Sequence, residues 1–130
     1  MNILIVDDSS FVRKLVARCF EGLAVTLWEA GDGVDALRRF RSIGGADVVV
    51  TDWNMPNMTG LELVEELRKE RDLPAPKIIM ITTENDQIKI VEALEAGCDD
   101  FLMKPFQKEE LRSRLSSILG PDILPEKDVL

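Results

Sequence analysis

The chain of 130 residues contains no histidine and no tyrosine, and it has only two cysteines. Without histidine it cannot build the imidazole sites that zinc and copper prefer, and it cannot itself carry a phosphohistidine. Cys19 and Cys98 are far apart in the sequence, so we expect two small buried side chains rather than a disulfide or a metal pair.

An excess of positive charge is also lacking. The chain has 16 lysine and arginine residues against 24 aspartate and glutamate residues, a formal net charge of -8. Such a surface repels phosphate backbones, so we expect protein partners and no direct nucleic-acid binding. No apolar run approaches the roughly 20 residues of a membrane-spanning helix, and the N-terminus reads as a strand rather than a signal segment. We therefore expect no membrane insertion and a cytoplasmic location.

Four short apolar runs each end directly before polar or charged side chains. Runs that are apolar at every position are typical of strands covered on both faces of a sheet. If these strands are parallel neighbours, their carboxyl ends bring three carboxylates, a hydroxyl and an ammonium to one crevice. The runs are Ile3–Val6 before Asp7 and Asp8, Val48–Val50 before Thr51 and Asp52, Ile78–Ile81 before Thr82, and Phe101–Met103 before Lys104.

Helical spacing of apolar residues between these runs predicts five strands that alternate with five helices. A weaker strand at Val25–Trp28 completes the set, and the last helix ends near Leu119. Residues 1–120 are therefore expected to form one domain, and residues 121–130 a C-terminal tail or a linker. The predicted helices cover about Ser9–Phe20, Val34–Ser42, Leu61–Arg71, the segment from Ile88 to Gly97, and Gln107–Leu119.

Alternating strands and helices predict an α/β fold with an open parallel sheet, because parallel neighbours need right-handed crossover helices. By analogy with flavodoxin-like doubly wound folds, we expect the strand order 2-1-3-4-5. The first and third strands are then neighbours where the winding reverses, and ligands bind beyond their carboxyl ends. Asp7, Asp8 and Asp52 should meet there.

Three carboxylates in one crevice repel one another. At about 5 Å and an effective dielectric constant of about 20, each pair costs roughly 3 kcal/mol, so a positive charge belongs between them. Oxygen ligands without histidine suit a hard cation such as Mg²⁺. Lys104 supplies a second positive charge that can reach a phosphoryl oxygen, and Thr82 can donate a hydrogen bond to the same group.

These motifs resemble response-regulator receiver domains, and among them the single-domain chemotaxis regulators. The resemblance extends from Asn2 to about Leu119. Its motifs are the Asp7–Asp8 pair, the stretch DWNMPNMTG from Asp52 to Gly60, the strand that ends in Thr82, and Lys104 followed by Pro105.

The resemblance implies a role for each matching residue. Asp52 would be the phosphoacceptor, and Asp7, Asp8, Asp52 and the main-chain carbonyl of Asn54 would bind Mg²⁺. Lys104 would pair with the phosphoryl group. A cis peptide bond would join Lys104 to Pro105. Thr82 would follow the phosphoryl group as a switch residue. Asn54 and Glu84 would tune the rate of hydrolysis.

The resemblance also implies a signalling switch rather than an enzyme that turns over an external substrate. A sensor histidine kinase or a phosphotransfer protein would donate the phosphoryl group. A downstream protein would bind the face formed by the fourth helix, the fifth strand and the fifth helix. The switch aromatic of the family is often tyrosine, whereas this chain has Phe101, so a readout through a phenolic hydroxyl is ruled out.

Other interpretations remain open at the level of sequence. A Mg²⁺-dependent aspartyl-phosphate phosphatase would share the acidic residues, although it usually has a second aspartate where this chain has Asn54. A flavodoxin-like electron carrier would need a phosphate-binding loop of serine, threonine and glycine after the first strand. The chain can also be the receiver part of a larger regulator with an output domain.

Single residues have simpler interpretations as well. Asp8 taken alone would be an N-cap of the first helix. The stripe Ile88, Val91 and Leu94 is expected to be core first and partner surface only at its edges. The charges between Glu65 and Arg71 are expected to form a solvated helix face.

Overall fold

A five-stranded parallel sheet forms the centre of the protein, in the predicted order β2-β1-β3-β4-β5. The computed structural model describes residues 1–83 and 87–120, so Glu84 and the predicted tail lie outside the described residues. The strands are β1 (Asn2–Val6), β2 (Thr26–Ala30), β3 (Val48–Asp52), β4 (Lys77–Thr82) and β5 (Asp100–Met103). The helices are α1 (Ser10–Arg18), α2 (Gly33–Ser42), α3 (Gly60–Lys69), α4 (Gln87–Ala96) and α5 (Lys108–Leu119).

The register of the sheet aligns the carboxyl ends of its central strands. Val6 at the end of β1 pairs with Thr51 of β3, and Asp52 pairs with Ile81 of β4. Thr82 pairs with Met103 at the end of β5. Asp52 and Thr82 at the ends of β3 and β4 therefore lie at the same edge as Asp7 and Lys104, which follow β1 and β5, as the sequence predicted.

The sheet is covered on both faces, which explains its continuous apolar runs. Alternate side chains point to opposite faces, so Leu4 packs with α2, α3 and α4 while Ile3 and Ile5 pack with α1 and α5. Phe40, Leu63 and the other large side chains of these two layers are almost fully buried. Both cysteines are buried and free, as expected.

The predicted burial of the α4 stripe is wrong. Ile88, Val91 and Leu94 are 70%, 48% and 42% exposed, whereas Ala93 is 1% exposed. The helix is apolar on two sides, and it packs through its small residues Ala93 and Ala96. The helical period of apolar residues does not show which of two apolar stripes is buried, and the prediction took the exposed stripe for the core.

The predicted solvated face of α3 is wrong at Arg68. Its guanidinium donates hydrogen bonds to the carbonyl oxygens of Gly97 and Pro76 at 2.9 and 2.8 Å, and to the Asp99 carboxylate at 3.0 Å. The long apolar stem of arginine carries the charge past the helix surface to these acceptors. Element ends differ from the prediction by one or two residues; β2, for example, ends at Ala30 rather than at Trp28.

Within residues 1–83 and 87–120, no helix combines the length and the apolar character that crossing a bilayer requires.

Candidate functional site at the carboxyl edge of the sheet

Three carboxylates from two strand ends converge, as the sequence predicted. One carboxylate oxygen each from Asp7, Asp8 and Asp52 lies within 4.8 Å of the others. Asp7 is 4% exposed and Asp52 is half-buried, whereas Asp8 faces solvent. Solvent therefore reaches the cluster at Asp8, whereas Asp7 is shielded from solvent.

Lys104 brings one positive charge to this cluster. Its Nζ lies 3.4 Å from Asp7 Oδ2 and 3.5 Å from Asp52 Oδ1, and its side chain is 24% exposed. The main-chain N–H of Lys104 donates to the carbonyl oxygen of Thr82 at 2.9 Å, which fixes the end of β5 against the end of β4. The bond from Lys104 to Pro105 is cis, as the resemblance implied.

The carboxyl group of Asp52 is held in an environment that opposes its charge. Burial raises its pKa above the ordinary value, and the nearby Asp7 carboxylate raises it further. Lys104 and the N–H of Trp53, which donates to Asp52 Oδ1 at 2.8 Å, lower the pKa but do not cancel the rise. The charged form of Asp52 is therefore disfavoured even with the ammonium of Lys104 beside it.

The acidic residues fit a magnesium ion. Their oxygens are close enough to share one cation, and all donors are hard. Burial and the Asp7 carboxylate disfavour the charged form of Asp52, and a bound cation would favour it. Asn54 is exposed and lies two residues after Asp52, in the loop that follows β3.

The end of β1 is shaped by a serine rather than by Asp8. Ser9 is the N-cap of α1, and its hydroxyl accepts a hydrogen bond from the N–H of Val12. The N–H of Ser9 donates to Asp7 Oδ1 at 2.9 Å. Asp8 is thus left free of the capping role that its position alone suggested, and it is available for the cluster.

The two predicted switch residues lie on neighbouring strands. Thr82 ends β4 and is 2% exposed, while Phe101 lies on β5 opposite Met80 and is half-buried. Phe101 packs at the margin of the apolar layer that faces α2, α3 and α4. Glu84, predicted to tune hydrolysis, lies outside the described residues.

Gly60 is a site residue that the sequence did not single out. A Cβ there would overlap the carbonyl oxygen of Asp52 and lie 2.8 Å from the sulfur of Met80. The N–H of Gly60 donates to the carbonyl oxygen of Trp53 at 2.8 Å. Only glycine lets the start of α3 approach the backbone of Asp52 so closely. A glycine in the first turn of a helix is the sequence signal for such an approach.

A second missed contact joins the loops beside the site. Asn57 has a φ of 67°, and its Nδ2 donates to Asp32 Oδ2 at 2.8 Å. Asp32 is the N-cap of α2 and accepts from the N–H of Asp35 at 2.7 Å. Both hydrogen bonds lower the pKa of Asp32 below its ordinary value, and the bond from the Asp35 N–H has the larger effect. The long loop after β3 is therefore tied to the start of α2.

Comparison with known proteins agrees with this geometry. The family model described as the response regulator receiver domain matches residues 3–116. The chain belongs to the response regulator receiver family. This receiver is 37% identical over 121 residues to chemotaxis protein CheY1 of Helicobacter pylori, with 92% of this chain and 98% of that protein covered.

Other relatives give the same result. The receiver is 38% identical over 121 residues to the chemotaxis protein CheY homolog of Campylobacter jejuni, with 92% of this chain and 93% of that protein covered. The solved structure of the chemotaxis protein CheY4 of Vibrio cholerae superposes on the receiver with a TM-score of 0.82 and 33% identity. That match covers 90% of this chain and 97% of the other. The protein is therefore a CheY-like receiver with the flavodoxin-like topology predicted from its sequence.

Proposed function

We propose that the receiver accepts a phosphoryl group on Asp52 and acts as a phosphorylation switch. The observation that carries this proposal is the approach of Lys104 Nζ to both Asp7 and Asp52 beside the cluster of three carboxylates. In this arrangement Asp52 can supply a nucleophilic oxygen while Lys104 pairs with a phosphoryl oxygen. Catalysis of such a transfer consists chiefly of positioning and charge neutralisation.

The transfer needs only a donor and a divalent cation. An Asp52 oxygen forms the new bond to phosphorus, the bond from phosphorus to the donor nitrogen breaks, and that nitrogen keeps the electron pair. Asp7, Asp8, Asp52 and the main-chain carbonyl of Asn54 would hold Mg²⁺. When bound, the cation neutralises the charge that develops on the phosphoryl oxygens. The donor is a phosphohistidine on a kinase or phosphotransfer protein, because the chain itself has no histidine.

The output of the switch is the face formed by α4, β5 and α5. Ile88, Val91 and Leu94 on α4 are exposed, and Met103 on β5 is 36% exposed. A partner protein could bury these apolar side chains. A phosphoryl group on Asp52 adds charge and acceptor oxygens next to the strand end that carries Thr82. Phe101, on β5 within this face, would follow the movement of Thr82 and shift a two-state equilibrium.

The pathway that we propose is bacterial chemotaxis in the cytoplasm. The support is the names of the relatives, since proteins 37–38% identical to this receiver over nearly their whole length are chemotaxis proteins.

The phosphoacceptor is tested with a small donor. Purified protein incubated with acetyl phosphate and Mg²⁺ is expected to gain one phosphoryl mass, measured on the intact protein. Asp52→Asn should lose the gain, and omission of Mg²⁺ should reduce it strongly. Asp72→Asn is the matched control, because Asp72 is exposed and remote from the cluster. Labelling that persists unchanged in Asp52→Asn would reject the assignment.

The same samples test the output face. Backbone amide exchange in α4 and β5 is expected to change on labelling in the unsubstituted protein and to stay constant in Asp52→Asn. Exchange that is identical with and without label would exclude this face as the switch.

A further inference from the structure

Arg13 on α1 makes two hydrogen bonds behind the acidic cluster. Its Nη1 donates to the carbonyl oxygen of Asp7 at 2.6 Å, and its Nε donates to Glu29 Oε1 on β2 at 2.9 Å. The Arg13 side chain is 20% exposed, although it carries a charge. Two directed bonds from one guanidinium fix its orientation better than a single surface ion pair would.

The Asp7 carbonyl belongs to the peptide unit that joins Asp7 to Asp8. On the other side of Asp7, its own N–H donates to the carbonyl oxygen of Ala30 at 3.2 Å. Glu29 and Ala30 are adjacent in β2, so the end of this strand holds Asp7 directly at its N–H and through Arg13 at its carbonyl. The path of the chain through both acidic residues is thus set from β2.

We infer that Arg13, oriented by Glu29, is a positioning residue that holds the Asp7–Asp8 peptide in the conformation that binds a divalent cation. The inference rests on the magnesium site proposed above and extends it to two residues that do not contact the cation. Residues that orient metal ligands from behind contribute strongly to metal affinity in proteins.

A purely electrostatic role for Arg13 would have the opposite sign. A positive charge near three carboxylates competes with a cation for them, so its removal should tighten Mg²⁺ binding. Loss of a positioning bond should weaken binding. The sign of the change in affinity therefore separates the two roles.

The test is a calorimetric titration of the unphosphorylated protein with MgCl₂ at constant ionic strength. Arg13→Gln is expected to raise the Kd for Mg²⁺ by roughly tenfold. Lys14→Gln is the matched control, because it removes the same charge from an exposed position of the same helix. Its Kd should stay the same or fall slightly.

A second variant keeps the test decisive if Arg13→Gln folds poorly by circular dichroism. Arg13→Lys keeps the charge but cannot reach both acceptors. A positioning role therefore predicts weaker Mg²⁺ binding, whereas a purely electrostatic role predicts no change in the Kd. Folded Arg13 variants that bind Mg²⁺ as tightly as the unsubstituted protein, or more tightly, would overturn the inference about Arg13 but not the proposed magnesium site. Failure of the unsubstituted protein to bind Mg²⁺ would overturn the proposed magnesium site, and this inference with it.

Discussion

Two groups of charged residues at opposite edges of the sheet are built on different principles. At the amino edge, Arg68, Lys77 and Asp99 form what we call the Arg68 cluster. Asp99 Oδ2 accepts from Arg68 at 3.0 Å and from the N–H of Ile78 at 2.7 Å, and Lys77 Nζ lies 3.9 Å from Asp99 Oδ1. At the carboxyl edge, the ammonium of Lys104 contacts Asp7 and Asp52, two of the three clustered acidic side chains.

The difference separates a structural cluster from a functional one. The Arg68 cluster satisfies its one acid with two cations and a backbone N–H, and the spare donors of Arg68 reach main-chain carbonyls. The acidic site has three carboxylates beside Lys104, and burial, together with the nearby Asp7 carboxylate, raises the pKa of Asp52. We therefore expect opposite effects on stability when a charge is removed from each.

The largest expected effect is at the Arg68 cluster. Arg68→Ala should lower the free energy of unfolding by about 2–3 kcal/mol, because it removes three hydrogen bonds from a charged donor and leaves their acceptors half-buried. Urea unfolding at equilibrium measures the change. Lys69→Ala is the control, since it removes only an exposed ion pair with Glu66 and should change stability by less than about 0.5 kcal/mol. Equal effects of the two variants would contradict the structural role of Arg68.

The next effect should have the opposite sign. In the absence of divalent cations, Asp8→Asn is expected to stabilise the protein by about 1 kcal/mol, or a few degrees in Tm, because it relieves repulsion from Asp7 and Asp52. This stabilisation is smaller than the repulsion of roughly 3 kcal/mol between two buried carboxylates, because Asp8 faces solvent, which weakens its interaction with the other two. Added Mg²⁺ should raise the Tm of the unsubstituted protein, and this rise should be lost in Asp8→Asn.

Thermal melts with EDTA and with MgCl₂ measure both changes. A lower Tm for Asp8→Asn in EDTA would show that the acidic site is not crowded.

The smallest effect is at Cys98, next to the Arg68 cluster. Burial raises the pKa of this thiol to about 11, and the thiol donates to the carbonyl oxygen of Asp100 at 2.8 Å. Because the folded state holds this proton more tightly than the unfolded state, the stabilisation is complete below the unfolded pKa and is lost as the pH rises toward 11. Between pH 7 and 9 the unsubstituted protein should lose about 0.4 kcal/mol more than Cys98→Ala.

Urea unfolding at both pH values tests this prediction. Identical losses in the two proteins would mean that the thiol titrates normally in the folded state.

The sequence predicted most of the fold and the membership of the acidic site. Apolar runs followed by Asp7, Asp52, Thr82 and Lys104 predict a parallel sheet, and the strand order taken by analogy with flavodoxin-like folds places these residues at one edge. Prediction failed where one pattern fits two arrangements. The side of α4 that is buried depends on the fit of Ala93 against its neighbours, and no helical period encodes that choice.

Contacts between distant polar groups were the second kind of failure. Arg68 was predicted to face solvent, and no role was predicted for Arg13, because a charged residue on a helix is usually exposed. Their partners are mostly main-chain carbonyls at the ends of other elements. Every residue has such a carbonyl, so the sequence carries no signal for which of them accept a hydrogen bond from an arginine.

The sequence by itself determined the succession of strands and helices and the polar residues that end the strands, since both follow from local apolar patterns; the strand order that brings those residues together came from analogy with known folds. Only the tertiary structure decided how the acidic residues are held and how their charge is balanced. Burial, the approach of Gly60 to Asp52 and the two bonds of Arg13 depend on how separate strands and helices lie against one another, and that arrangement exists only after the layers have packed.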